Sequence, residues 1–85
     1  MPAITIYTKN SCPYCHAALD LLRRKKAVFT QVTVDGDRDG QALMAQRAGG
    51  RSSVPQIFIG ETHVGGCDDL HALEQAGQLD ALLAA

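Results

Sequence analysis

The sequence has no tryptophan, and only two tyrosines and two phenylalanines stand among its 85 residues. It has no apolar run near the ~20 residues that a membrane-spanning helix needs, so a membrane is not expected as a partner. It has no excess of either charge, since the net value is −1. A basic stripe of the kind that grips phosphates is therefore missing, and nucleic acid is not expected either. Cysteine is scarce and odd in number, at three, which argues against a structural disulfide framework. The opening Met1-Pro2-Ala3-Ile4-Thr5-Ile6-Tyr7 lacks both the basic start and the long apolar stretch of a secretory signal, so the expected location is cytoplasmic.

What remains is an ordinary globular composition, 46% hydrophobic and 20% charged. At this length one domain spanning 1–85 is expected, and a chain of this size buries about 60% of its unfolded surface. Ala3–Tyr7 reads as a strand, β-branched and aromatic. From Cys12 the period changes. Cys15, Ala18, Leu19 and Leu22 fall on one helical face, with Ser11 as N-cap and Pro13 in the first turn. Arg23-Arg24-Lys25-Lys26 reads as cations complementing the dipole at that helix's C-terminus.

A second strand is expected over Ala27–Val34, with Val28, Thr30, Val32 and Val34 on one face. After the turn Asp35-Gly36-Asp37 comes a helix over Arg38–Ala48, with Leu43, Met44 and Arg47 at helical spacing and Gly49-Gly50 as its stop. Val54–Ile59 and Thr62–Val64 flank the Gly60-Glu61 turn as a hairpin. Asp68 reads as the cap of a third helix, Asp69–Gln75, stopped by Gly77. Leu79, Leu82 and Leu83 form a last helical turn or two. The order is β-α-β-α-β-β-α, an α/β architecture with helices on a four-stranded sheet whose first unit is parallel and right-handed.

The chemistry concentrates in Ser11–Leu19, SCPYCHAAL, where Cys12 and Cys15 are two residues apart and His16 follows. The pattern admits three readings. Haem attachment has the spacing, but it needs an export-linked route. A structural zinc site would need Cys67, His63 or His71 to complete it, and no second ligand pair at zinc spacing exists. A redox dithiol fits best. A strand runs into a helix whose first amides are unpaired and favour negative charge on a sulfur at Cys12. Cys15 lies one turn further in.

Four motifs in order make the chain similar to one family along its whole length. These are Cys-Pro-Tyr-Cys at 12–15, Tyr7-Thr8-Lys9 before it, Ser53-Val54-Pro55, and Gly65-Gly66-Cys67-Asp68-Asp69. They resemble the glutaredoxins, in particular the short bacterial dithiol type. One departure is Ser53, where the family usually has threonine; the hydroxyl is kept.

The resemblance implies a thioredoxin fold, with glutathione as co-substrate and no metal. It implies a monomer that reduces disulfide-containing or glutathionylated proteins. Cys12 would be the nucleophile and Cys15 the resolving thiol. Pro55 would follow a cis peptide bond, so that the Val54 backbone pairs with glutathione as an added strand beside Ser53. Asp68 would hold the γ-glutamyl amine. The amides of Cys67 and Asp68, following Gly66, would hold its carboxylate. Lys9 and Arg51 would meet the glycine carboxylate, and Tyr14 would wall the sulfur. Cys67 reads as a free structural thiol, and His16, His63 and His71 as surface or helix residues.

Two other functions stay open on the sequence. One is a thioredoxin-like dithiol served by a flavoprotein reductase, which would not need the Gly65–Asp69 pocket. The other is an iron–sulfur carrier on Cys12 of two chains, which Pro13 disfavours within the family.

Overall fold

Ile4, Ile6 and Thr8 are buried while Thr5 and Tyr7 between them are less so, and this two-residue period gives strand β1 (Ile4–Thr8) two different faces. The computed structural model describes residues 2–85. After β1 come helix α1 (Pro13–Arg24), strand β2 (Thr30–Thr33), helix α2 (Arg38–Arg47), strands β3 (Gln56–Ile59) and β4 (Thr62–Gly65), and helices α3 (Cys67–Gln75) and α4 (Leu79–Ala84). The sheet order is β2-β1-β3-β4. β1 runs parallel to β2, while β1–β3 and β3–β4 are antiparallel. This is the mixed four-stranded sheet and the element order expected of the thioredoxin fold.

Ile4, Ile6, Ile57 and Ile59 share one face of the sheet. With Ala18, Leu19 and Leu22 of α1, Leu70 of α3, and Leu79 and Leu83 of α4 they build the main buried cluster. Each fully buried Leu or Ile contributes about 1.5–3 kcal/mol of apolar transfer. The alternate residues, Tyr7 and Phe58, point to the other face, where the Arg47 guanidinium of α2 lies 4.1 Å from the Phe58 ring centroid. Helices therefore cover both faces, and β3 at the centre is buried at all four positions.

Several local expectations change. The N-cap of α1 is Cys12 rather than Ser11, and Pro13 is the first helical residue. The second strand is four residues long. Lys26 adopts φ 56 just after the C-cap Lys25, and the Ala27 N–H bonds back to the Leu22 carbonyl at 3.0 Å. That closing turn holds residues 27–29 off the ladder, which begins with Thr30 opposite Thr5. Ala27 and Phe29 pack on the core instead, and Val28 is 83% exposed. On α2 it is Met44 that is buried, while Leu43 faces outward. β3 starts at Gln56, since Pro55 has no N–H to give a ladder.

The third helix starts at Cys67, with Gly66 as its N-cap. Asp68 is therefore inside the first turn and caps nothing. The capping acceptor is Asp69, whose Oδ2 takes the Gly66 N–H at 2.9 Å.

Candidate active site

Cys12 ends the chain segment leaving β1 and begins α1. Its Sγ accepts the Cys15 N–H at 3.1 Å, so the sulfur itself supplies the cap that a serine or aspartate usually gives. Cys12 is partly exposed and Cys15 fully buried, and all three cysteines are free thiols. Burial, and then the hydrogen bond with Cys12, push the Cys15 thiol up to about 12, with the Cys12 charge adding to the effect and a backbone hydrogen bond from Lys9 opposing it. Cys15 thus holds its proton while Cys12 is free. Tyr14, between them, is 65% exposed.

A second chain segment faces this turn. The Val54–Pro55 bond is cis, and the Val54 carbonyl oxygen lies 3.8 Å from Cys12 Sγ. Four consecutive residues here are held by four different elements. Arg51 Nη1 is 3.4 Å from Asp69 Oδ2 of α3. Gln41 Nε2 of α2 donates to the Ser52 carbonyl at 2.8 Å. Gln56 Nε2 of β3 donates to the Ser53 carbonyl at 3.1 Å. Val54 meets Cys12 at the head of α1.

The third wall comes from the β4–α3 junction. Phe58 pairs with His63 and Ile57 with Gly65, so Val64 is an extra residue, a bulge that turns the strand toward α3. Gly65 has φ 115, a conformation open to glycine. A Cβ there would also collide with the Asp69 carboxylate and stand 3.0 Å from Arg51 Nη1. The Gly66 N–H holds the Asp69 carboxyl below its usual range against the opposing effect of burial, and Arg51 adds to the lowering. Cys67 opens α3 and is 8% exposed, with Sγ 3.4 Å from His71 Nδ1. Burial, followed by the Asp68 charge, pushes its thiol upward, which fits a retained, inert thiol.

Between these walls is an open cleft of ≈ 330 Å³, lined by Tyr14, Arg51, Ser53, Val54, Pro55, Gly66, Cys67, Asp68 and Asp69. Every pocket residue expected from the sequence lines it except Lys9. Asp69 lines it too, and the sequence held a signal for it: an acid three residues after the helix-opening glycine is the spacing of a capping box. Arg51, expected to be free for a carboxylate, is already shared with Asp69. Among the described residues, no group of three or more His, Cys, Asp or Glu side chains is placed to hold a metal ion. None of their helices is long and apolar enough to cross a membrane.

The glutaredoxin family model matches residues 4–64. A glutaredoxin of Pseudomonas aeruginosa is 58% identical over 85 residues, covering 100% of both chains. Glutaredoxin 3 of Escherichia coli is 49% identical over 83 residues, covering 98% of this chain and 99% of its own. Among solved structures, a buckwheat glutaredoxin–glutathione complex superposes with a TM-score of 0.87 at 30% identity, over 98% of this chain and 77% of that one. A dithiol turn at the head of α1, a sheet with this strand order and relatives of this identity along the whole chain lead to one assignment: the chain belongs to the glutaredoxin family, the glutathione-dependent thiol–disulfide oxidoreductases.

Proposed function

We propose that Cys12 carries the exchange chemistry, that Cys15 resolves it, and that glutathione lies in the cleft beside them. The observation that carries this reading is the Cys12 sulfur, partly exposed and capped by the Cys15 N–H at 3.1 Å. The Cys12 thiolate attacks a substrate disulfide. A Cys12–sulfur bond forms, the substrate S–S bond breaks, and one substrate thiolate leaves. The negative charge that helped to keep the proton on Cys15 is then gone, so Cys15 gives up its proton more readily. Its thiolate attacks Cys12 Sγ, the Cys12–Cys15 bond forms as the Cys12–substrate bond breaks, and the substrate leaves as a thiolate that takes up a proton from solvent in place of the one Cys15 lost. One glutathione thiolate opens that disulfide, leaving Cys12 glutathionylated. A second removes the first as glutathione disulfide.

In the cleft, the Val54 backbone pairs with the tripeptide beside Ser53 and Pro55, and Tyr14 borders the sulfur. Cys67 and Asp68 amides receive the γ-glutamyl carboxylate after Gly66, where the first turn of α3 has unpaired N–H groups. The exposed Asp68 carboxylate faces the amine. Arg51 meets the glycine carboxylate with whatever of its guanidinium Asp69 leaves free. Lys9 does not line the cleft and has no direct contact in this scheme. The protein partners are disulfide-containing or glutathionylated chains, met by a monomer of one domain in a reducing, cytoplasmic setting, without a metal.

The test is a coupled assay with glutathione, glutathione reductase, NADPH and a small glutathione mixed disulfide. NADPH consumption is expected to require glutathione, and Cys12→Ser is expected to abolish it. Equal turnover with thioredoxin reductase and no glutathione would overturn the pocket. Turnover by Cys12→Ser would move the nucleophile to another thiol.

A further inference from the structure

Gln56 is 0% exposed and does not line the cleft, yet its side chain ends on the loop that does. Its Nε2 donates to the Ser53 carbonyl at 3.1 Å. Its Oε1 lies 2.7 Å from His63 Nε2. Because the amide nitrogen is committed to a carbonyl, Oε1 must be the acceptor here, and His63 carries its proton on Nε2. His63 is itself fixed by stacking on Phe58, with centroids 4.9 Å apart and planes at 24°. A rigid chain therefore runs from edge strand β4, through a buried amide, to the residue before Val54.

We propose that Gln56, oriented by His63, is a positioning residue for glutathione: it sets the Ser53 carbonyl and hence the Val54 backbone that pairs with the tripeptide. The inference rests on the proposed pocket. A buried amide bonded at both ends has one orientation, because turning it would put its nitrogen against a histidine donor and its oxygen against a carbonyl. That single orientation fixes the loop before ligand arrives. It acts on the Val54 backbone, whose carbonyl also stands 3.8 Å from Cys12 Sγ.

The discriminating variant is Gln56→Glu. It keeps volume and the His63 partner but turns an acceptor toward the Ser53 carbonyl. In the coupled assay the KM for glutathione is expected to rise about tenfold, with kcat at saturating glutathione changing by no more than about twofold. His63→Phe keeps the stack on Phe58 and removes the donor from a half-buried edge position. It is expected to raise the same KM by about two- to fivefold, and it stands as the test if Gln56→Glu does not fold. A wild-type KM in both variants overturns the positioning role, as does a loss confined to kcat. Asp68→Asn, measured alongside, separates the causes. If it raises KM and the other two do not, the pocket stands and Gln56 has no part in it. If none of the three raises KM, the pocket and the inference fall together.

Discussion

Cys12 and Cys15, with two residues between them, differ in nearly everything that governs a thiol. The first is partly open to solvent and takes an amide proton; the second is sealed, with its thiol pushed up to about 12. Cys15→Ser is therefore expected to divide the activity. Deglutathionylation of a small mixed disulfide should persist, since it needs Cys12 and a second glutathione. Reduction of a protein disulfide should fall strongly. Equal loss of both in parallel assays would tie Cys15 to the first step. The spacing of the pair by itself also admitted haem and zinc; its place at the head of a helix, together with the later motifs, is what pointed to a redox dithiol. Asp68 was legible as a charge but not as a position. Two glycines before it leave the start of the helix ambiguous, and the structure starts it at Cys67. Since Asp69 does the capping, Asp68→Asn should leave thermal stability almost unchanged. The KM for glutathione should rise about 5- to 30-fold, as loss of a charge-assisted bond of ~1–2 kcal/mol requires.

Elements were easier to recognise than their ends. All four strands and the four helices announce themselves by period and by Gly, Pro and Asp breaks. What sequence could not carry was whatever depends on a partner across the sheet. The shortness of β2 follows from how α1 closes over Lys26, and the bulge at Val64 from the pairing of Gly65 with Ile57. Gln56 looked like any polar residue in a strand, and its two partners come from separate segments. The first turn of α3 offers a test at this scale. The Asp69 carboxyl is held below its ordinary range by the Gly66 N–H and Arg51. Its stabilisation is present in full above about pH 4, the unfolded value, and is lost as pH falls through the lower folded value. Asp69→Ala should cost about 1 kcal/mol at neutral pH. The gap between variant and parent in urea unfolding should close in acid. A gap that persists at the lowest pH would mean that packing, not the carboxylate, holds the turn.

Across the whole molecule, the end of α1 is tied to the last two helices by one side chain. Lys25 Nζ lies 2.9 Å from Glu74 Oε1 and 2.7 Å from Asp80 Oδ1. The Asp80 and Glu74 carboxylates raise its ammonium above the usual lysine value. Its contribution is therefore complete below about pH 10.4 and disappears as pH climbs through the raised folded value. Lys25→Met should lower the urea midpoint from neutral pH into the mildly alkaline range, less so in high salt, and should match the parent in strong alkali. An alkaline difference as large as the neutral one would assign the effect to the methylene stem.

The complete burial of Cys15 has a further consequence, for kinetics. A partner arriving from solvent can reach one sulfur and not the other, so access alone sets the sequence of events. Large adducts are expected on Cys12 rather than Cys15, which mass analysis after alkylation would show. Release by Cys15 is expected to be first order in the complex, while release by a free thiol is expected to scale with its concentration, so the two routes separate in a thiol titration.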